Sequence, residues 1–267
     1  MKKDIYRLSA TCCRYAVSAF VLMISLLHVQ PAEASVPVGG EDLNYSLYLN
    51  WKFVWMKAGT ARLHTVPTSY NGNDCIETTL YASTGKAGDA IFKLRDTLTA
   101  VMTPQLKPQF YHKHCVEGDG KVNEKVWYEY PSEGKVRVSQ RKVYNSGGIK
   151  TTDTICVHPV YDMVSVIMNA REYDLNGFVK GQRVTLYMAQ GARIDRQELV
   201  FGGTENVKTQ SGQTRCYRFS IMEKETDSKG RVKESELIRF YIKDDAARTP
   251  VEIDFFMKIG MAKARLD

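Results

Sequence analysis

The sequence predicts an all-β domain with one short mid-chain helix, an antiparallel meander curled into a closed or half-open β-barrel. Three observations carry this expectation. Apolar and polar residues alternate with period two in run after run along the chain. Clusters of Asn, Gly, Asp, Pro and Ser separate the runs at hairpin spacing. Tyr (15) and Phe (10) are abundant beside only 3 Trp, an aromatic usage suited to strands. With 267 residues, 43% hydrophobic and 25% charged, the composition is that of a folded domain, which excludes a disordered chain and a multi-pass membrane protein.

The first element is a leader. Lys2, Lys3, Arg7 and Arg14 accompany an apolar run from Tyr15 to Val29, and Gln30-Pro31-Ala32-Glu33-Ala34 supplies a small-x-small exit before Ser35. These three regions predict a secretory signal over residues 1–34 and a single β-rich domain over 35–267. The run falls short of the roughly 20 apolar residues that a spanning helix needs, and no later run reaches that length, so no transmembrane segment is expected in the mature chain. No cysteine follows the cleavage point, which argues against a lipoprotein. The expected location is the periplasm or cell envelope. The net charge of +7 falls to about +5 once the leader is gone, and no run of five or six Lys/Arg exists, so nucleic acid is not an expected partner. Cys75, Cys115, Cys156 and Cys216 remain, too widely spaced for a C-x-x-C motif. Free buried thiols and one or two disulfides both stay open.

From Leu43 the odd positions read Leu43, Tyr45, Leu47, Leu49, Trp51, Phe53 and Trp55, with mostly polar residues between them up to Met56. This alternation predicts one long strand with a buried face. Gly59 interrupts it before Ala61-Arg62-Leu63, as a bulge or sharp bend where no side chain fits. Further strands are expected at 75–84, 92–102, 109–116, 122–130, 136–144 and 149–157, punctuated by Asn71-Gly72-Asn73-Asp74, Gly118-Asp119-Gly120, Pro131-Ser132-Glu133-Gly134 and Asn145-Ser146-Gly147-Gly148. Met163, Val164, Ile167 and Met168 then fall near helical spacing after His158-Pro159, predicting the helix near 161–171. The second half returns to period two at 183–190, 198–201, 206–209, 215–224, 232–243, 251–256 and a last run to Leu266. No Pro- or Ser-rich linker divides the halves, so one domain is expected, with two sub-sheets joined by the helix as an option.

Asp96 falls on the apolar register of its strand with Leu94, Leu98, Ala100 and Met102. A lone buried carboxylate is costly unless paired, so either an ion pair with a structural arginine or a perturbed acid at a cavity is implied. The ion pair is the favoured reading, with Arg171 at the helix end as a partner and Arg95 facing the other way. His112 and His114 share a strand face, but two ligands are not a site, and no metal or other cofactor is expected. The nucleophile elbow, P-loop, dinucleotide fingerprint and H-E-x-x-H are all missing, and Ser165 lacks the glycines of a strained elbow, so no catalytic residue is assigned. Asp244, Asp245, Glu252 and Asp254 imitate an acid pair, yet Asp244 to Pro250 reads better as a tight strand connection whose acids cap backbone amides. Trp51 and Trp55 are candidates to line a pocket, since a barrel of this many strands is hard to fill. The candidate ligand-binding residues are therefore Trp51, Trp55, Asp96 and Arg171.

With those residues in hand, the sequence resembles the family of exported bacterial proteins known as domain of unknown function 3108. The resemblance runs through Trp55-Met56-Lys57-Ala58-Gly59-Thr60-Ala61, Phe92-Lys93-Leu94-Arg95-Asp96 and Thr103-Pro104-Gln105-Leu106-Lys107-Pro108. It continues in Tyr161-Asp162-Met163-Val164-Ser165 leading to Arg171, in Gly202 to Gly212, and in Tyr241-Ile242-Lys243-Asp244-Asp245, Arg248-Thr249-Pro250-Val251 and Gly260. It implies an exported β-rich protein and carries over no catalytic residues; the cysteines are a departure from the pattern.

The leading functional expectation is an envelope binding or assembly factor whose curved barrel holds a lipid, glycolipid or other amphipathic ligand. The alternative is a structural or partner-binding envelope module without a small-molecule ligand. A second alternative is a hydrolase using Asp96 with another acid.

Overall fold

Among the described residues, fourteen antiparallel strands hydrogen-bond into one sheet whose first and last strands meet in the middle. The computed structural model describes residues 39–267 apart from 52–53, 211, 227–229 and 258–259. The leader expected over residues 1–34 lies outside the described residues.

The chain runs β1 (Glu41–Trp51), β2 (Val54–Tyr70), β3 (Asn73–Thr84), a four-residue helix α1 (Lys86–Asp89), β4 (Leu94–Met102), β5 (Pro108–Glu117), β6 (Gly120–Ser132), β7 (Lys135–Tyr144) and β8 (Ile149–Cys156). Helix α2 (Met163–Ala170) follows, then β9 (Arg183–Gln190), β10 (Arg193–Thr209), β11 (Gly212–Thr226), β12 (Val232–Lys243), β13 (Pro250–Met257) and β14 (Gly260–Leu266). Each strand pairs with its sequence neighbour, and β1 pairs with β14 through registers such as Leu47 opposite Ala264. Two arms, β1–β8 and β14–β9, thus share one seam and end in two edges, β8 and β9, which do not pair with each other. The sheet curls without closing. Where two sub-sheets were an option, the β1–β14 ladder makes one.

The β9–β10 turn seats on the inner face of the other arm. Ala192 N–H donates to Glu124 Oε1 on β6 at 3.2 Å, and Gln140 Nε2 on β7 donates to the Arg193 carbonyl at 3.1 Å. Tyr161 covers part of the β9 edge, its N–H donating to the Tyr187 carbonyl and its carbonyl accepting from Ala189 N–H, both at 2.8 Å.

Inside the curl, Tyr45, Leu47, Leu63, Leu80, Ala100, Tyr111 and Val126 of the first arm form one apolar cluster, joined by Val164 and Met168 of α2. Phe219, Ile221, Ile238, Phe240 and Ile253 of the second arm form another, joined by Val166, Ile167 and Ala170. Opposite faces of the same helix therefore feed both clusters, which is why a nearly all-apolar octapeptide sits mid-chain. Asp162 caps it: its carboxylate accepts from Val164 N–H at 3.0 Å and Ser165 N–H at 2.8 Å, while Ser165 Oγ accepts from Asp162 N–H at 2.9 Å. This reciprocal box gives Ser165 a structural task. At the other end Arg171, 0% exposed, donates to Glu41 Oε2 at 2.7 Å, to Glu41 Oε1 at 3.1 Å and to the Ala247 carbonyl at 3.0 Å. The helix is thereby tied to the start of β1 and to the β12–β13 connection.

Two sequence expectations about the strands need correction. The alternating run from Leu43 to Met56 is two strands, β1 and β2, paired antiparallel with Trp51 opposite Val54. Gly59 does sit in a bulge, with Leu47 opposite Gly59 and Tyr48 opposite Lys57, and a Cβ there would lie 1.9 Å from the Ser83 carbonyl oxygen. The strands expected at 198–201 and 206–209 are one 17-residue strand, since a bulge at Phe201–Gly203 absorbs the glycine pair. Helix α1 is an addition too short for periodicity to show, held by Asp89, which accepts from Arg95 Nη2 at 2.7 Å. Lastly, all four cysteines are free and buried, which selects one of the two open options. The Asn71-Gly72 hairpin, in contrast, is as expected, both residues having the positive φ of a two-residue turn (52° and 79°).

Candidate functional site

Between the two arms the curl encloses a cavity of about 350 Å³, within the range of small-molecule sites. Cross-strand register explains the space. Tyr45, Ala61, Ala82, Asp96 and Cys115 are successive neighbours across β1 to β5, so small side chains occupy the middle of the row. Leu47, Leu80, Leu98, Ile221, Ile238 and Phe255 make most of the wall apolar. Asp96, Lys113, Glu117, Gln190 and Gln197 are polar members of the wall.

Two of these groups lack the partners that buried polar atoms ordinarily find. Gln197 is 1% exposed, yet neither its Oε1 nor its Nε2 has a hydrogen-bond partner. Asp96 Oδ1 is likewise without one. Burial first, and the Glu117 charge second, push the Asp96 carboxyl up to about 6, opposed by the Cys115 thiol that hydrogen-bonds it. Burial in turn pushes the Cys115 thiol far up.

The favoured ion pair for Asp96 is a correction. Arg171 pairs with Glu41, whose row runs through Thr65, Thr78 and Ala100, four residues along β4 from Asp96 and so about 13 Å away. Arg95 faces away as expected and binds Asp89. Of the other candidates, Trp55 is 41% exposed and stands on the outer surface, with Lys263 Nζ 5.4 Å from its ring centre. In the β1–β2 register Trp55 lies opposite Asn50 while Met56 lies opposite the buried Leu49, and the Ala58–Gly59 bulge returns the odd positions inward at Ala61 and Leu63. Trp51 lies in β1, and its side chain is outside the described residues. Among the candidates whose side chains are described, Asp96 is the one that lines the cavity wall.

Asp96, Cys115 and Glu117 bring one donor atom each within 4.8 Å of one another. Sequence reading missed this trio, although Cys115 and Glu117 are two apart on one strand face. Burial keeps the proton on the Cys115 thiol, which hydrogen-bonds the Asp96 carboxyl. His112 instead bonds Asn123 Oδ1 at 3.2 Å, and His114 is exposed. The C-terminal acids behave as structural groups. Asp245 Oδ1 accepts from Arg248 N–H at 3.0 Å, Asp244 pairs with Arg215 at 2.8 Å, and Glu252 pairs with Lys263 at 2.6 Å and Arg265 at 2.9 Å.

The raised Asp96 carboxyl has a measurable consequence. The folded protein holds that proton up to about pH 6, whereas an unfolded aspartate releases it near its usual value of about 4. Its contribution to stability is therefore full below about pH 4 and is lost as pH rises through 6. Asp96→Asn should melt a few degrees above the wild type at pH 7.5 and level with it at pH 4. An identical offset at both pH values would remove the carboxyl as its source.

An open, curled antiparallel sheet around a buried helix, with a mostly apolar cavity inside, defines a β-barrel-like protein. The chain belongs to the family described as protein of unknown function (DUF3108), which matches residues 44–267. It is similar to the crystal structure of a β-barrel-like protein of domain of unknown function DUF1849 from Brucella abortus, at 11% identity and a TM-score of 0.49, over 87% of this chain and 97% of that one. No curated protein matches the chain. Among the described residues, no helix is long and apolar enough to cross a membrane.

Proposed function

We propose that this chain is an exported envelope protein that holds an amphipathic small molecule, a lipid or glycolipid, in its interior cavity. The observation that carries the proposal is a mostly apolar wall whose polar members Gln197 and Asp96 Oδ1 have no protein partner. A ligand with an apolar body and a hydrogen-bonding group satisfies both. The three-part leader at residues 1–34 supports export.

Titrating the mature protein with decyl-chain amphipaths while following thermal unfolding tests this directly. A ligand at about 100 times its Kd adds about 2.7 kcal/mol, a rise of several degrees in Tm. An unchanged Tm with every amphipath, together with no uptake of an apolar fluorescent probe, would oppose the proposal.

A second reading has one observation in its favour. Edge strand β8 and the residue after it expose Ile149, Ile155 and Val157 beside unpaired backbone, a surface suited to strand addition by an envelope protein. A stoichiometric protein partner co-purifying without any small molecule would favour that reading. A hydrolytic role for Asp96 with Glu117 requires turnover that Asp96→Asn abolishes.

A further inference from the structure

A second, polar pocket of about 410 Å³ adjoins the cavity, sharing Lys113, Met163, Gln190 and Arg193 as wall residues. Its charges come from a ladder. Lys113 on β5, Glu124 on β6, Lys142 on β7 and Lys150 on β8 are consecutive cross-strand neighbours on the inner face. Glu124 is buried and occupied by the Ala192 N–H, and Arg193 pairs with Asp195 at 2.6 Å. Among the described residues, no carboxylate lies within ion-pair distance of Lys113, Lys142 or Lys150. The Lys142 ammonium lies 5.2 Å from the centre of the Tyr144 ring.

Lys142 and Lys150 face this pocket with Glu124 as its lining carboxylate, and Lys113, in the shared wall, also acts on Asp96; an anion with several acceptor oxygens relieves the repulsion among the ammonium groups. The acids Asp96, Glu117 and Glu223 line the apolar cavity and not this pocket. We propose that the pocket receives the phosphate-type head group of an amphipath whose apolar chain lies in the adjoining cavity. This inference rests on the ligand-holding function proposed above and adds the head-group chemistry to it. Lysine suits the task as a flexible point charge on a long stem.

The test compares decyl phosphate, decanoyl glycerol and inorganic phosphate as ligands of the mature protein and of the double variant Lys142→Gln/Lys150→Gln. Neither lysine supports the fold through an ion pair, so the variant should fold normally. The wild type should bind decyl phosphate at least about tenfold more tightly than decanoyl glycerol, as the loss of one or two charge-assisted contacts implies. That preference should fall with rising salt and vanish in the double variant, with decanoyl glycerol binding unchanged. Equal binding of the two decyl ligands by the wild type would overturn the head-group assignment and leave the cavity reading standing. No binding of either would overturn both. Inorganic phosphate binding as tightly as decyl phosphate would make this a free-anion site and overturn the link to an amphipath.

Discussion

Replacing Arg171 with alanine should lower stability by about 3–5 kcal/mol, the range found when one partner of a buried ion pair is removed. In a domain of this size that is a fall of about 10 °C or more in Tm. The Arg171 side chain is 0% exposed and Glu41 only 11%, so the variant strands a carboxylate with little access to water. It also strips a donor from the Ala247 carbonyl, loosening α2, β1 and the β12–β13 connection together. Thermal unfolding followed by near-UV circular dichroism measures the loss. Arg171→Met with Glu41→Leu should recover much of it, because no charge is then left unpaired. A loss below about 1 kcal/mol in the single variant would show that water reaches Glu41 freely.

Filling the cavity should separate binding from stability. Ala82 lies in the small-residue row beside Asp96 and lines the cavity wall, so Ala82→Phe projects a ring into the space a ligand chain would take. Binding of decyl amphipaths should weaken by at least about tenfold, since a few lost methylene contacts at ~0.8 kcal/mol each amount to that. Stability without ligand should change little, because the added ring enters existing space and displaces no packed core. Trp55→Ala is the matching control, with binding unaltered because Trp55 stands outside. Wild-type affinity in Ala82→Phe would place the ligand elsewhere.

Period two located most strands, to the residue at β9 and β12, because each has one face inside the curl and one outside. Gly59 was legible for a like reason: only a missing side chain explains a break in so regular a run. The break between β1 and β2 was not. The alternation runs on from one strand into the next while the antiparallel register exchanges the faces, so Trp55 reads as inward and is outward.

The candidate site was legible only as far as Asp96, whose place among apolar neighbours marked it as buried. Its surroundings depend on register. Cys115 is opposite Asp96 across one ladder, and Glu117 follows it two residues on. The partner of Arg171 lies 130 residues away, beyond any local pattern. Gln197 carries no local signal, since it precedes an ordinary alternating run. Its role emerges only where the second arm folds over the first. The lysine ladder is hidden in the same way, its members on separate strands that only antiparallel pairing aligns. Asp162 and Ser165 did offer a local clue, an acid and a hydroxyl three residues apart just before an apolar helix.

The most direct test of the central claim is native mass spectrometry of the mature protein purified from the envelope of its own host, followed by denaturing extraction. A ligand-holding cavity predicts a bound species that is released on denaturation and is lipid or glycolipid in composition. A mass equal to the processed chain alone, with nothing in the extract, would contradict it and shift the function to the exposed β8 edge and a protein partner.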